Sequence, residues 1–489
     1  MNKATFFLLI PLFFMFNSTV WGKSGIQDVV CGYQSLAALR HAQWGVYAEY
    51  ADTGDTIVSL NDDKSLAPAS VLKVITTGSS LVSLGKNFRF KTALYYDGEI
   101  SEKGVLQGNI YVVGGGDPTL GSDQVPGSLA LDELMKVWVD AVKKKGILRI
   151  NGKLVADATL FDEKTIPDFW YWGDVGNYYG AGTSALCIHD NLYYLSFKPG
   201  KHVGDRARVL RMRPTIAGLE FNNSMRTGKV GSGDQGYIYC APGQYLATLR
   251  GSIPAGSNEF TIKGSMPDPP LFTVQYLTEI LKESGIPVSS QAGRQIHSQK
   301  YHDEKLLHMT YSPILSHIVE ITNKRSMNLY AEQLLKMVAF QETGEGNTKN
   351  GVTVIKKLLG SFGIESDGFT IYDGSGLSRS NMATAKVVAQ FLSAMHKQKL
   401  FDVFYRSFSI AGDPETTGSV RNFGIGTPVA LNARMKTGYM TGVRSHSGYI
   451  RTRSGRLVAF SLLCNNFSTS LREINKIHKD VLVQLAMLP

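Results

Sequence analysis

Apolar and polar residues alternate along some stretches of this chain and recur at helical spacing along others. Alternation predicts one hairpin over residues 43–49 and 56–59 and a second over 447–453 and 456–465, because successive strand side chains point to opposite faces. Apolar residues three and four positions apart predict long helices over the following residues: 328–340, 383–396 and 471–488. A sheet built from both ends of the chain, with helices between, predicts an α/β (α+β) sandwich.

The middle of the chain has a different pattern. Between residues 88 and 290, short alternating stretches are interrupted by Gly, Asp and Asn, which predicts short strands joined by turns. Helical spacing returns over 129–145 and 272–284, and Ser128 is a candidate N-cap for the first of these helices. We expect this segment to form one or two mostly β domains.

The first residues have the pattern of an export signal. An almost unbroken apolar run over 6–16 follows Lys3, and Val20 and Gly22 suit the two selective positions of signal peptidase. The run is shorter than the ~20 apolar residues of a spanning helix. We therefore predict a signal peptide over 1–22, cleaved near Gly22, and a protein exported to the periplasm or cell envelope. An uncleaved N-terminal anchor is the alternative.

Composition adds two constraints. The chain has 51 Lys and Arg against 41 Asp and Glu, a net charge of +10, which suits a polyanionic surface such as cell wall or anionic lipid. The charges are scattered, so an ordinary solvated surface explains them equally well, and no nucleic-acid motif is present. Four cysteines allow three complete disulfide pairings and are too sparse for a disulfide-dependent fold. They are Cys31, Cys187, Cys240 and Cys464.

Ser70 and Lys73 form the first of three short motifs that suggest chemistry. Pro68 favours a helix start, and a Ser-x-x-Lys on a first helical turn places the hydroxyl and the amine on one face. A deprotonated lysine can remove the proton of a serine hydroxyl, which is a weak nucleophile by itself. The motif alone has little weight, because a solvated Ser and Lys on an ordinary helix give the same four letters.

Two further motifs follow in order. Ser326 and Asn328 frame a Ser-x-Asn, and Lys436, Thr437 and Gly438 form a Lys-Thr-Gly. The ordered trio is the signature of penicillin-recognising serine enzymes. The first two motifs flank one cleft in such enzymes but lie far apart in this sequence. We therefore predict a discontinuous catalytic domain, formed by 23–87 and 291–489, with 88–290 inserted.

With these motifs the chain resembles the low-molecular-mass class C penicillin-binding proteins. This is the D-alanyl-D-alanine carboxypeptidase/endopeptidase family of the penicillin-binding protein 4 type, which carries large inserted domains. The resemblance covers essentially the whole mature chain and implies the β-lactamase-like transpeptidase fold. Beyond the trio, it rests on the segments 61–70, 115–119, 185–191, 251–254 and 373–379, with Asn381 and Thr384.

The resemblance implies a serine carboxypeptidase acting on peptidoglycan stem peptides and inhibited by β-lactams. Ser70 would attack the carbonyl between the last two D-alanines, with Lys73 as base. Ser326 would shuttle the proton to the leaving amine, and Asn328 would hydrogen-bond the substrate amide. No metal or organic cofactor is implied.

The Lys-Thr-Gly strand would bind the substrate on its other side. Lys436 and Thr437 would hold the terminal carboxylate, and Gly438 would let the strand edge approach the substrate backbone. The backbone N–H groups of Ser70 and Tyr439 would form the oxyanion hole. Tyr439 stands where a small residue is commoner, so its ring could alter access to the cleft.

A second group would recognise the end of the stem-peptide side chain. By motif position its members are Arg379, Met440 and Thr441, and Asp174 is the candidate acidic residue from the insert. An Asp and an Arg together fit a zwitterion such as the end of diaminopimelate. A solvated loop carboxylate explains Asp174 equally well.

Two other classes stay open. A serine β-lactamase would share the trio, although the Glu-x-x-Leu-Asn loop of class A β-lactamases is absent from the sequence. A non-catalytic wall-binding module on the same fold is the second alternative. The sequence does not rank carboxypeptidase against endopeptidase activity.

Overall fold

The computed structural model describes residues 25–416 and 418–489. The predicted signal peptide over 1–22 lies outside these residues. Among the described residues, no helix combines the length and hydropathy needed to cross a bilayer. All four cysteines are free thiols, three of them buried and Cys31 exposed.

An antiparallel sheet built from both ends of the chain forms the centre of the first structural unit. Its strand order among the described residues is Ser409–Ile410, Arg434–Met440, Val443–Arg451, Leu457–Asn465, Gln43–Tyr50 and Thr56–Leu60. The two predicted hairpins are both present in this sheet. We call Arg434–Met440 the clamp strand; it carries the Lys-Thr-Gly motif and lies next to the short outer strand Ser409–Ile410.

Helices cover both faces of this sheet. Ile26–Gln34 and Leu471–Ala486 pack on one face, and Leu72–Leu84 and Ala385–His396 lie with a helical cluster on the other. The remaining helices of that cluster are Leu315–Lys324, Asn328–Thr343, Thr348–Ser361 and Phe401–Arg406. The two apolar faces of the sheet are therefore buried separately, and the catalytic motifs lie where the helical cluster meets the clamp strand.

The inserted segment contains four smaller sheets and its own apolar core. Their strands, sheet by sheet, are Gly293–Arg294, Leu154–Asp157, Ile110–Val113, Lys91–Tyr96 and Leu306–Tyr311; Glu99–Ile100, Val105–Gln107 and Arg149–Ile150; Arg208–Arg213, Leu192–Lys198 and Phe260–Ser265; and Glu220–Asn223, Leu246–Pro254, Arg226–Gly228 and Gln235–Tyr239. Three helices accompany them: Leu131–Lys144, Trp172–Val175 and Pro269–Glu283.

One pairing bears on where the insert ends. Leu306–Tyr311 pairs antiparallel with Lys91–Tyr96, the first strand of the insert, beyond the boundary at residue 290 expected from the sequence. A strand hydrogen-bonded inside a sheet belongs to that sheet's unit, so we propose that the insert runs from about Lys91 to Tyr311.

Local signals explain where several helices begin. Asp268 accepts a hydrogen bond from the Leu271 backbone N–H at 3.0 Å, ahead of Pro269, and Ser470 caps the C-terminal helix through Glu473 N–H. The prediction for Ser128 was wrong. The helix begins at Leu131, and the Ser128 hydroxyl instead donates to loop carbonyls.

Candidate active site

Ser70 lies on a strained turn. Ala69–Val71 forms a short 3₁₀ turn before the helix Leu72–Leu84, and Ala69 adopts a left-handed φ of 47°. A non-glycine residue in this region is held there only by its surroundings. Gly376 supplies one constraint, because a β-carbon on it would lie 2.0 Å from the Ala69 carbonyl oxygen. The loop after residue 372 therefore fixes the turn that presents Ser70.

Lys73 is fully buried, and its amine is surrounded by oxygen atoms. Its Nζ lies 3.0 Å from Ser70 Oγ, and it donates to Asn328 Oδ1 and to the Ser375 carbonyl, both at 2.6 Å. The last two partners can only accept, so a neutral amine spends both N–H groups on them. Its lone pair then faces the Ser70 hydroxyl, which is the arrangement a general base requires.

Burial changes the protonation of Lys73. It lowers the pKa of the amine to about 7, against the opposing effect of the nearby carboxylates of Asp373 and Glu332. Burial likewise raises the pKa of Glu332 to about 8, and Asp373 adds to that shift. A substantial fraction of Lys73 is therefore neutral near pH 7 and able to accept a proton.

The carboxylates behind Lys73 also order the loop that follows them. Glu332 accepts from the backbone N–H groups of Gly374 and Ser375. Asp373 accepts from Trp170 Nε1 at 2.8 Å, from Asn381 Nδ2 at 2.7 Å, and from the backbone N–H groups of Gly376 and Ser378. Trp170 belongs to the insert, so this hydrogen bond ties the insert to the catalytic loop.

Ser326 contacts the third motif rather than the first. Its Oγ accepts from Lys436 Nζ at 2.9 Å, whereas it is Asn328 that contacts Lys73. The Asn328 amide nitrogen donates to the Tyr179 carbonyl at 2.7 Å, so both ends of this side chain are engaged. A proton path from Lys73 to Ser326 therefore needs an additional group, and the Asn328 amide must rearrange to meet a substrate.

The clamp strand passes close to the nucleophile turn. A β-carbon on Gly438 would lie 2.7 Å from the Pro68 carbonyl and 3.1 Å from the Ser70 backbone nitrogen. Glycine at this position is thus required for packing against the Ser70 turn, and not only for the substrate approach expected from the sequence. The contact sets the distance between the clamp strand and the Ser70 N–H.

We expect Gly438→Ala to lower the rate of acylation by about 10²–10³-fold, the effect of losing one oxyanion donor. The added methyl group has to push the strand away from Pro68 and Ser70. Stopped-flow acylation by a chromogenic β-lactam measures this rate. Gly360→Ala is the control, because nothing lies within 4 Å of a β-carbon there. Equal rates for Gly438→Ala and Gly360→Ala would contradict the packing argument.

The remaining predicted residues lie around the same cleft. Thr437 Oγ1 is 3.3 Å from Ser419 Oγ, Tyr439 is 58% exposed, and Met440 packs on a small cluster that includes Ala69. The Tyr439 ring is therefore directed to solvent and does not enter the core.

Arg379 connects the loop, the clamp strand and the insert. Its Nη1 donates to the Thr441 carbonyl at 2.9 Å, and its guanidinium lies 5.3 Å from the Tyr171 ring centre. Asp174 is half-buried near Arg379 and Tyr179, and burial raises its pKa against their stabilising effect. The acid and the cation thus face the same region but do not form an ion pair.

Sequence reasoning missed several groups of this site. Glu332 follows Asn328 by one helical turn, and that spacing is a signal that could have identified it. The carbonyls of Tyr179 and Ser375 carry no side-chain signal, because any residue supplies a carbonyl. Arg444 also escaped notice, since only the strand pairing places it beside the clamp strand.

The fold and the paired groups Ser70–Lys73 and Ser326–Lys436 define a serine peptidase of the penicillin-recognising class. The model of the D-Ala-D-Ala carboxypeptidase 3 (S13) family matches residues 30–486, and the chain belongs to this family. The family and the serine carboxypeptidase activity predicted from the sequence are thereby confirmed.

Relatives match along nearly the whole chain. The D-alanyl-D-alanine carboxypeptidase of Actinomadura sp. (strain R39) is 29% identical over 439 residues, 88% of this chain and 79% of the relative. The D-alanyl-D-alanine carboxypeptidase DacB of Haemophilus influenzae is 27% identical over 447 residues, 90% of this chain and 88% of the relative.

A solved structure has the same fold. The crystal structure of penicillin binding protein 4 from Haemophilus influenzae superposes with a TM-score of 0.79 at 24% identity, covering 95% of this chain and 100% of that one. A second structure of that protein, complexed with a β-lactam, has a TM-score of 0.72. The predicted α+β transpeptidase fold is confirmed.

Proposed function

We propose that this enzyme cleaves the bond between the last two D-alanines of peptidoglycan stem peptides through an acyl-enzyme on Ser70. The observation that carries the proposal is the set of three Lys73 contacts. Two partners that only accept occupy both N–H groups of the neutral amine, so the lone pair faces the Ser70 hydroxyl. Lys73 takes that proton as Ser70 attacks, D-alanine leaves, and water hydrolyses the acyl-enzyme.

The oxyanion formed in this attack is stabilised by the backbone N–H groups of Ser70 and Tyr439. The close approach of Gly438 to the Ser70 nitrogen supports this role, because it brings the clamp strand beside the nucleophile turn. Each such donor contributes about 3–4 kcal/mol to transition-state binding in other acyl enzymes. Ser326, which accepts from Lys436, donates its hydroxyl proton to the leaving amine. The proton held by Lys73 then replaces it through the additional group that this path needs, such as a water molecule.

Lys436 and Thr437 bind the terminal carboxylate of the substrate. The Lys436 ammonium is buried, and burial together with the charges of Lys73 and Arg444 lowers its pKa well below the ordinary value. A carboxylate that binds there favours the charged form of the lysine, which in turn strengthens the binding of that carboxylate. We call Lys436 and Thr437 together the carboxylate clamp.

We expect Lys436→Ala to lower kcat/KM for a peptide ending in D-Ala-D-Ala by about 10²–10³-fold, since a charge-assisted hydrogen bond and part of the proton path are lost. The loss for the C-terminal amide of the same peptide should be at least tenfold smaller. D-alanine and D-alaninamide release measures the two rates, with Lys397→Ala, on a helix end, as the control. Equal losses on the two peptides would contradict the carboxylate role.

Recognition of the stem-peptide side chain is assigned to Arg379, Met440, Thr441 and Asp174. Arg379 already spans the clamp strand and the insert, and Asp174 faces it across the cleft. A zwitterionic side-chain end fits between an acid and a cation. The insert therefore contributes to specificity as well as to the fold.

The same site would act as an endopeptidase when the leaving group is a cross-linked peptide instead of D-alanine. The space on the leaving-group side of the cleft determines which of the two activities the enzyme has. We propose that the chain works outside the cytoplasm at the cell wall after removal of residues 1–22, with β-lactams as inhibitors. Removal of that segment takes away Lys3 and leaves 50 Lys and Arg against 41 Asp and Glu, a net charge of +9, which suits loose association with anionic wall or lipid. A β-lactamase would instead consume penicillin and remain unmodified, and a non-catalytic wall-binding module would leave the penicillin intact.

A further inference from the structure

Arg444 is a buried arginine whose partners are all uncharged. It is 2% exposed and lies on the strand Val443–Arg451, opposite Tyr439 of the clamp strand. Its Nε donates to Asn475 Oδ1 at 2.7 Å, and Nη2 lies 3.1 Å from His446 Nε2. The arginine ion pairs of the described residues are those of Arg211, Arg294 and Arg456.

The other end of the guanidinium faces the carboxylate clamp. Nη2 contacts Ser419 Oγ at 3.4 Å, and Ser419 Oγ lies 3.3 Å from Thr437 Oγ1. Nη1 contacts the Gly438 carbonyl at 3.5 Å. Ser419 is exposed, so this short chain of contacts joins a buried charge to the open cleft.

A chain of aromatic nitrogens lies behind Arg444 and supplies no negative charge. Trp44 Nε1 donates to His478 Nε2 at 3.0 Å, and the Nδ1 atoms of His478 and His446 are 2.8 Å apart. Arg444 and Trp44 only donate, so an imidazolium in either ring would place a proton against one of them. Burial accordingly lowers the pKa of both imidazoles, and that of His478 to about 3.

The hydrogen bonds along this row of aromatic nitrogens cannot all form at once. Two neutral imidazoles bring two ring protons, and only one proton fits between the two Nδ1 atoms. Because Trp44 donates to His478, the other proton lies on His446 Nε2 and faces Arg444, so the contact between Arg444 and His446 is not a hydrogen bond. A buried cation and a surplus proton both lower stability. Such an arrangement is expected where function, rather than folding, requires the charge.

We propose that Arg444 is a positioning residue that makes the carboxylate clamp, Lys436 and Thr437, selective for substrates with a free terminal carboxylate. Its charge acts through Ser419 and Thr437, and the counter-ion missing from the protein is the substrate's own carboxylate. The proposal rests on the carboxylate-binding role given above to Lys436 and Thr437.

The test compares two peptides on three variants. Each enzyme is assayed for release of D-alanine from a stem peptide ending in D-Ala-D-Ala and of D-alaninamide from its C-terminal amide. For Arg444→Met we expect KM for the carboxylate peptide to rise by about 10–100-fold, the effect of one hydrogen bond to a charged group, with kcat within about threefold. The amide peptide should change little, Arg444→Lys should recover most of the loss, and Arg211→Met, on the insert surface, should match the wild type.

Stability separates positioning from a structural role. Because Arg444→Met removes a buried charge that has no counter-ion, its melting temperature should equal or exceed that of the wild type. Ser419→Ala changes an exposed side chain and cannot unfold the core, yet it should lose part of the same selectivity.

Three outcomes would count against the proposal. A lower melting temperature with equal losses on both peptides would assign Arg444 a structural role. Unchanged selectivity in both Arg444→Met and Ser419→Ala, with an active wild type, would overturn this inference alone. A wild type that cleaves neither peptide would overturn the proposed function, and the inference with it.

Discussion

Replacing Ser70 with alanine should reduce D-alanine release from a stem peptide by about a millionfold, the scale seen when a serine peptidase loses its nucleophile. The remaining groups still bind the substrate, but no acyl-enzyme can form. Lys73 keeps its contacts with Asn328 and Ser375, so the variant should fold as the wild type does. D-alanine release under single-turnover conditions measures the loss.

A matched control lies on Leu72–Leu84, the helix that follows the Ser70 turn. The Ser79 hydroxyl is buried and has no hydrogen-bond partner. Ser79→Ala therefore removes one serine hydroxyl without touching the cleft, and its activity should stay within about twofold of the wild type, as for a change that removes no productive contact. Residual activity in Ser70→Ala close to that of Ser79→Ala would show that another group is the nucleophile.

Replacing Lys73 with methionine should lower the acylation rate by about 10²–10⁴-fold, the usual contribution of a general base. The wild-type rate should also depend on pH in a definite direction. The base works as the neutral amine, so the rate should rise as pH increases towards the Lys73 pKa of about 7 and level off above it. In Lys73→Met this rise should disappear.

Acylation by a β-lactam, followed between pH 5 and 9, gives both the rate and its pH dependence. Lys86→Met is the control, because Lys86 is exposed near the end of the same helix. A rate that falls or stays level as pH increases towards 7 would contradict the role of neutral Lys73. So would a variant that keeps the wild-type pH profile.

The sequence was informative where function depends on residue type at fixed spacing. The Ser70, Ser326 and Lys436 motifs identified the class, and alternating patterns identified the two hairpins of the central sheet. Those signals are local, since each is complete within a few neighbouring residues. The structure brings the three motifs to one cleft even though an insert separates the first motif from the others.

The contacts between motifs could not be predicted in this way. Asn328 rather than Ser326 contacts Lys73, because the turn between them gives Ser326 a left-handed φ of 57° and directs its hydroxyl to Lys436. Gly438 is required by the nearby Pro68 carbonyl, which belongs to a distant part of the chain. Such distances depend on tertiary packing and leave no local pattern.

The later end that we propose for the insert rests on a similar long-range contact. The sequence offered no prediction for residues 306–311, and the proposal that they belong to the insert rests on the pairing of Leu306–Tyr311 with Lys91–Tyr96. Arg444 is a similar case, because its partners come from the clamp strand, the C-terminal helix and the loop at Ser419. In both cases the contact partners become known only when segments far apart in the sequence are seen paired in the structure.

The intact mass of the purified protein, taken minutes and then hours after adding penicillin, tests the Ser70 acyl-enzyme most directly. The wild type should gain the mass of one penicillin molecule and keep it over that time, and Ser70→Ala should gain nothing. Unmodified wild type with the drug consumed would indicate a β-lactamase. Unmodified wild type with the drug intact, or an equal adduct on Ser70→Ala, would contradict the account.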